Sequence, residues 1–203
     1  MTRFFTRVDE VRRRLDVLRH PFYQRWALGE LAPSELAFYA GQYRHAVVAL
    51  AEASSRAGGD HHAAEERSHI ALWDRFLRFA GGDVDAVPTA QTAACAAAWS
   101  DARRDRAGTL AALYAIEAAQ PAISETKRAG LIEHYGAIPG SDATCYFDVH
   151  AVLDHAHAED DRQELVALMQ PADEARLLTE MERVLKANWR LLDDVQAHAE
   201  LAA

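Results

Sequence analysis

Apolar residues recur at spacings of three and four along almost the whole chain, and no stretch alternates apolar with polar residues as a half-buried strand would. For 203 residues, that pattern restricts the fold to helices packed on helices around a single core. Glycine and proline, 10 and 6 in number, are too few for a turn-rich β protein. A first helix is expected over Phe4–Leu18, with His20-Pro21 opening another. Pro33-Ser34-Glu35 starts a long helix through Ala53, whose periodic residues include Leu36, Tyr39, Tyr43, Val47 and Leu50. Gly58-Gly59-Asp60 closes it and caps a helix from His61 to about Phe79. Further helices are expected over Thr89–Ala102, Gly108–Tyr135, Asp142–Asp160 (led by Ser141) and Pro171–His198. No repeat, linker or shift of composition divides residues 1–203, so one domain is expected.

The formal charge of −9 comes with no long basic run, which argues against a nucleic-acid partner. Arg12-Arg13-Arg14 and Arg103-Arg104 are short, flanked by acids, and read as solvated helix faces rather than an anion site. No window is long and apolar enough to span a membrane, because Arg44 and His45 interrupt the best one. The N-terminus carries no signal-peptide pattern. Cys95 and Cys145 form no CxxC pair, so a reduced, cytoplasmic chain is the expectation. Ten histidines are more than surface chance explains.

Several of those histidines fall into patterns. In the segment from His150 to His157, positions i, i+4 and i+7 share one helical face, so His150, Asp154 and His157 project together while His155 does not. Imidazole with carboxylate suits iron, manganese or zinc. A solvated polar stripe is the plainer alternative, but Phe147, Val149 and Leu153 leave no wide apolar face unless this one also points inward. A second segment places Glu66 and His69 as Glu-x-x-His, the arrangement that ferritin-like bundles aim at a dinuclear centre. Glu65 and His62 lie near the same face and stand as alternates. Acids near a helix start are favoured by the macrodipole in any case, but that does not account for His69 beside Ile70, Leu72 and Trp73. Third, Glu117 sits in a nearly wholly apolar helix, where an unpaired carboxylate is costly. Pro121 withholds the amide that would bond the Glu117 carbonyl, so a kink is expected there. Such a carboxylate is either metal-bound or paired with a base. Together Glu66, His69, Glu117, His150, Asp154 and His157 supply three carboxylates and three imidazoles, more than a structural zinc needs.

With these residues the sequence resembles the TenA/PQQ-synthesis-like branch of the heme-oxygenase fold, and within it the heme-oxygenase-like diiron oxidases. The resemblance runs over nearly the whole chain: His20-Pro21-Phe22-Tyr23-Gln24-Arg25-Trp26, Gly29-Glu30-Leu31, Tyr39-Ala40-Gly41-Gln42-Tyr43, His69 to Trp73, Tyr114 to Glu117, Lys127 to Leu131, and Tyr146-Phe147 before the His150 stripe. It implies an all-α bundle of seven to eight helices, with His69, Glu117, His150, Asp154 and His157 matching the ligand pattern. Some members place the first Glu two turns ahead of the His69 position and others use Glu-x-x-His, so the choice of Glu stays open here. The sequence is also similar to the self-sacrificing para-aminobenzoate synthases, which implies Tyr23 as a source of the ring and Lys127 as an amino donor.

The expected function is therefore an oxygen-activating oxidase or oxygenase with two Fe ions, or an Mn/Fe pair, and no heme. Its substrate would be an amine, amino acid or other small metabolite, or its own Tyr23, with an external electron donor. Two other classes remain: a metal-free TenA-like salvage hydrolase using Cys145 or a carboxylate, and a non-catalytic regulatory helical protein. The amphipathic segment Leu177–Leu192 can pack within its own chain or in a homodimer.

Overall fold

The computed structural model describes residues 2–58 and 60–202; Gly59 and the side chain of Asp60, expected above to punctuate and cap, lie outside the described residues. Nine α-helices are present among them: α1 (Thr2–Arg14), α2 (Pro21–Ala27), α3 (Pro33–Ala57), α4 (Asp60–Phe79), α5 (Ala90–Trp99), α6 (Arg106–Glu117), α7 (Gln120–His134), α8 (Cys145–Leu168) and α9 (Glu174–Ala202). No strand occurs among the described residues, and no helix is long and apolar enough to cross a membrane.

Every residue of α6 from Gly108 to Glu117 is buried. A helix that is enclosed all round belongs at the centre of a bundle, and α3, α8 and α9 pack about it. Around that axis α4 and α5 lie on α3, while α7 lies between α2 and α8. Trp26, Trp73, Trp99, Tyr23, Tyr39 and Tyr43 are fully enclosed, so the core is unusually rich in rings that carry a polar tip.

Where the sequence predicts one kinked helix over Gly108–Tyr135, the chain forms two. Ala118 and Ala119 break the run between α6 and α7. Pro121 falls in the first turn of α7, where its missing amide costs nothing. The Ala118 carbonyl, released by the break, accepts from Arg12 Nη2 at 2.5 Å. Counted as one interrupted helix, α6–α7 restores the expected eight. Arg12 is thus not on a solvated face, and neither is Arg104, whose guanidinium fastens the end of α5 (Ala98 and Trp99 carbonyls) to Glu180 of α9. Other boundaries also move. The first helix stops at Arg14, and Asp16 caps a short 3-10 turn, Val17–Arg19. Thr89 caps α5 as expected, but the helix ends at Trp99. Ser141 does not lead α8, which begins at Cys145 after a turn and continues to Leu168. Pro171 opens a single 3-10 turn, after which α9 starts at Glu174.

Gly130 sets the spacing of α2 and α7. A β-carbon there would lie 2.7 Å from Trp26 Cδ1, and the same Trp26 donates its indole N–H to the Lys127 carbonyl at 3.0 Å.

Candidate metal centre

Three helices converge their acids and imidazoles on one buried point: α4 with His62, Glu66 and His69; α6 with Glu117; and α8 with His150, Asp154 and His157. The two flanking helices carry the same spacing, His-x3-acid-x2-His, so each presents three groups on one face over two turns. Glu66 lies between the two sides. Its Oε1 is 3.1 Å from His69 Nδ1, and 3.9 Å from both His62 Nε2 and His157 Nδ1, while its Oε2 is 4.0 Å from His150 Nε2. His62 Nε2 also approaches Glu117 Oε1 at 3.2 Å, and His157 Nδ1 lies 3.5 Å from Asp154 Oδ1.

All six of the predicted residues Glu66, His69, Glu117, His150, Asp154 and His157 are buried. The alternates part company. His62 enters the cluster, whereas Glu65 stays at its rim, 31% exposed, between His61 and His157 Nε2. His155 is exposed, as its position on the helix requires. Sequence reasoning missed Asp161, which is buried one turn beyond His157 and lies beside Glu117. It continues the same stripe at i+11 from His150, so the signal was present.

The electrostatics depend on which groups can share protons. Burial alone raises the Glu66 carboxyl, but the facing His150 and His69 imidazoles outweigh it and hold the group well below the usual carboxylate range. Glu117 goes the other way: burial first, then the neighbouring Glu66 and Asp154, push it well above that range. Asp161 is pushed up to about 9, by burial and by Glu117. His150 is raised by Glu66 and Asp154 against burial, and its Nδ1–H donates to the Tyr146 carbonyl at 2.7 Å, leaving Nε2 to the cluster.

Among the described residues, eight of eleven buried side-chain polar atoms without a hydrogen-bond partner belong to this one cluster: His62 Nε2, Glu66 Oε2, both Glu117 oxygens, His150 Nε2, Asp154 Oδ2, His157 Nδ1 and Asp161 Oδ2. Buried polar atoms are rarely left unpaired, and here nearly all are oxygen or nitrogen lone-pair donors of the kind that hold iron or manganese. The donor set fits a metal. Three overlapping triads could each hold an ion: Glu66–His69–His150, His62–Glu117–His157 and Glu66–Asp154–His157.

Tyr23 and Lys127 form a second buried feature outside the cluster. Lys127 Nζ lies 4.5 to 5.7 Å from the centroids of the Tyr23, Tyr39, Tyr43, Trp73 and Phe147 rings. Burial drives its amine well below the usual lysine range. The Tyr23 and Tyr39 hydroxyls meet at 2.8 Å. Rings continue from this chamber toward the cluster, Trp73 packing on Tyr146 and Tyr146 stacking on His150 at 3.9 Å.

A helical bundle enclosing a carboxylate–imidazole cluster between three of its helices is the framework of a metal-dependent oxidoreductase. The chain belongs to the family of iron-containing redox enzymes, heme oxygenase-like in fold, whose pattern matches residues 21–190. Among curated relatives it is similar to the 4-aminobenzoate synthase of Chlamydia muridarum (strain MoPn / Nigg), with 27% identity over 94% of this chain and 89% of that one. The 4-aminobenzoate synthase of Nitrosomonas europaea is 28% identical over 95% and 90% of the two chains. Two solved structures share the fold. A domain of unknown function with a heme oxygenase-like fold from Shewanella denitrificans superposes with a TM-score of 0.75 at 20% identity, covering 98% of this chain and 91% of the other. A TenA homologue from P. horikoshii OT3 gives 0.72 at 16% identity, covering 93% and 97%.

Proposed function

We propose that this chain, acting as one domain over residues 1–203, is a dinuclear non-heme oxidase or oxygenase that activates dioxygen and draws electrons from an external donor. Glu66, His69 and His150 would hold an inner ion and His62, Glu117 and His157 an outer one, with Asp154 completing the set. The observation that carries this reading is the convergence of unpaired buried lone pairs from three helices on one point. Two iron ions, or a manganese–iron pair, would supply the Lewis acidity and electrons that dioxygen requires. Around them the chain's own groups have definite tasks. The Tyr146 carbonyl fixes the tautomer and direction of His150. In the metal-free chain Asp161 holds a proton beside Glu117 near neutral pH. Burial excludes water from both.

Anaerobic loading with ferrous ion followed by metal analysis tests the reading. About two ions per chain and oxygen uptake on exposure to air are expected. Fewer than one ion per chain, with no uptake, refutes it.

For the substrate, Tyr23 itself is favoured by a specific observation: a buried amine 5.0 Å from the centre of its ring, its pKa lowered by burial, in a chain similar to proteins named 4-aminobenzoate synthase. In this reading Tyr23 supplies the ring and Lys127 the nitrogen. Mass spectrometry of the chain after reaction with dioxygen and reductant should show the change on peptides containing Tyr23 and Lys127, and Tyr23→Phe should form no 4-aminobenzoate. An unaltered Tyr23 after product has formed would direct attention to a diffusible amine or amino acid. Against a metal-free hydrolase built on Cys145, burial pushes that thiol above its ordinary range and leaves little thiolate.

A further inference from the structure

Away from the metal centre, a cleft of about 310 Å³ opens where α6 gives way to α7. Val17, Leu18, Trp99, Ile116, Ile123 and Leu185 form its apolar walls. Two further lining residues each keep a buried polar atom without a partner, Arg12 its Nε and Asn188 its Oδ1. The other polar atoms are not free in the same way: Arg12 Nη2 donates to the Ala118 carbonyl, Nη1 lies 3.5 Å from Asp9, and Asn188 faces the Tyr43 hydroxyl. Leaving such groups unpaired costs roughly 1–3 kcal/mol apiece, which a ligand that pairs them recovers. A third feature lies in the same wall. The N-terminus of α7 has Ala119 as its cap residue and so no side-chain cap, and Ala118, Ala119 and Gln120 all line the cleft. An uncapped helix N-terminus beside a guanidinium favours an anionic group. The two acids at the rim are each engaged: Asp9 is paired with Arg12, and the Asp16 carboxylate accepts the Leu18 amide at 3.1 Å.

We propose that this cleft binds a small monocarboxylic acid with an apolar or aromatic body and an amino or hydroxyl group remote from the carboxylate. The carboxylate accepts from Arg12 Nε and the start of α7, the body fills the apolar walls, and the remote group donates to Asn188 Oδ1. The cleft is also one side chain away from the buried amine. Gln120 and Asn188 both reach the Tyr43 hydroxyl, and the Tyr43 ring lies 4.5 Å from Lys127 Nζ. A carboxylic acid that enters or leaves the chamber would be held at this point.

Calorimetric titration of the metal-free chain with 4-aminobenzoate tests the site without recourse to the metal centre, so that failure of one does not imply failure of the other. Saturable binding at one site is expected, weakened at least tenfold by Arg12→Gln and by Asn188→Leu. Methyl 4-aminobenzoate, which has no carboxylate, should bind weakly and be indifferent to Arg12→Gln. Benzoate, which lacks the remote donor, should be indifferent to Asn188→Leu. Should either substitution impair folding, Ala122→Trp fills the exposed mouth without touching the polar groups and is expected to abolish binding. No saturable binding up to millimolar concentrations, or equal affinity in the native chain and all three variants, overturns the proposal.

Discussion

Lys127 ends among five rings, and its burial sets a cost that can be measured. Because burial lowers its pKa well below 10.5, the folded chain gives up the lysine proton at a lower pH than the unfolded chain does. Stability therefore falls as pH drops below the ordinary lysine value. Lys127→Met should raise stability at pH 7 by about 2 kcal/mol, or roughly 5 °C in Tm, with the gain fading near pH 10. Asp161 gives the opposite sign. Its folded pKa of about 9 exceeds the ordinary 3.8, so the metal-free chain should lose stability as pH rises from about 4 to 9. Urea melts at pH 5, 7 and 9 should show that slope, and Asp161→Asn should flatten it. Most of the candidate ligands could be read from spacing alone, because a stripe at i, i+4 and i+7 has only one way to face a core. His62 was harder to assign, since a histidine in the first turn of a helix is as much at home in water. Asp161 lay among Glu159, Asp160 and Arg162, whose exposure hid the one acid of that run that turns inward.

At the scale of elements, the decisive piece is the break between α6 and α7. Pro121 made it foreseeable that something gives way near Glu117, but not that Arg12, more than a hundred residues earlier, would take the freed carbonyl. Contacts of that kind leave no trace in local periodicity. Helix ends were likewise the least legible part, as with Ser141, because a cap depends on where the chain must turn to meet its neighbours. The packing of α2 on α7 can be tested directly. Gly130→Ala should force Trp26 from its place, cost roughly 1–3 kcal/mol in urea melts and lengthen or break the Trp26–Lys127 hydrogen bond, with a shift in tryptophan emission as the readout.

Over the whole molecule, the candidate centre ties together distant segments, since His62 and His157 are nearly half the chain apart and their rings stand 4.1 Å from each other. Ligation should therefore act as a cross-link of the folded state. Manganous ion at a hundredfold excess over its dissociation constant should add ~2.7 kcal/mol, seen as a rise of roughly 5–10 °C in a single thermal transition. Glu66→Ala should remove most of that rise, and hydrogen exchange in α4 and α8 should slow on loading in the native chain alone.

The exposure of the cluster is graded. His62 is 19% accessible and His157 10%, whereas Glu66 and His150 are each at 1%. In a two-ion centre, an ion bound for the inner position would then pass the outer one, and the pair would behave as a stack with one open end. A chelator added to the loaded chain should strip it in two phases, fast then slow, and a second metal offered afterwards should settle only in the place vacated first. A mixed pair would then reflect the sequence of delivery as much as relative affinity.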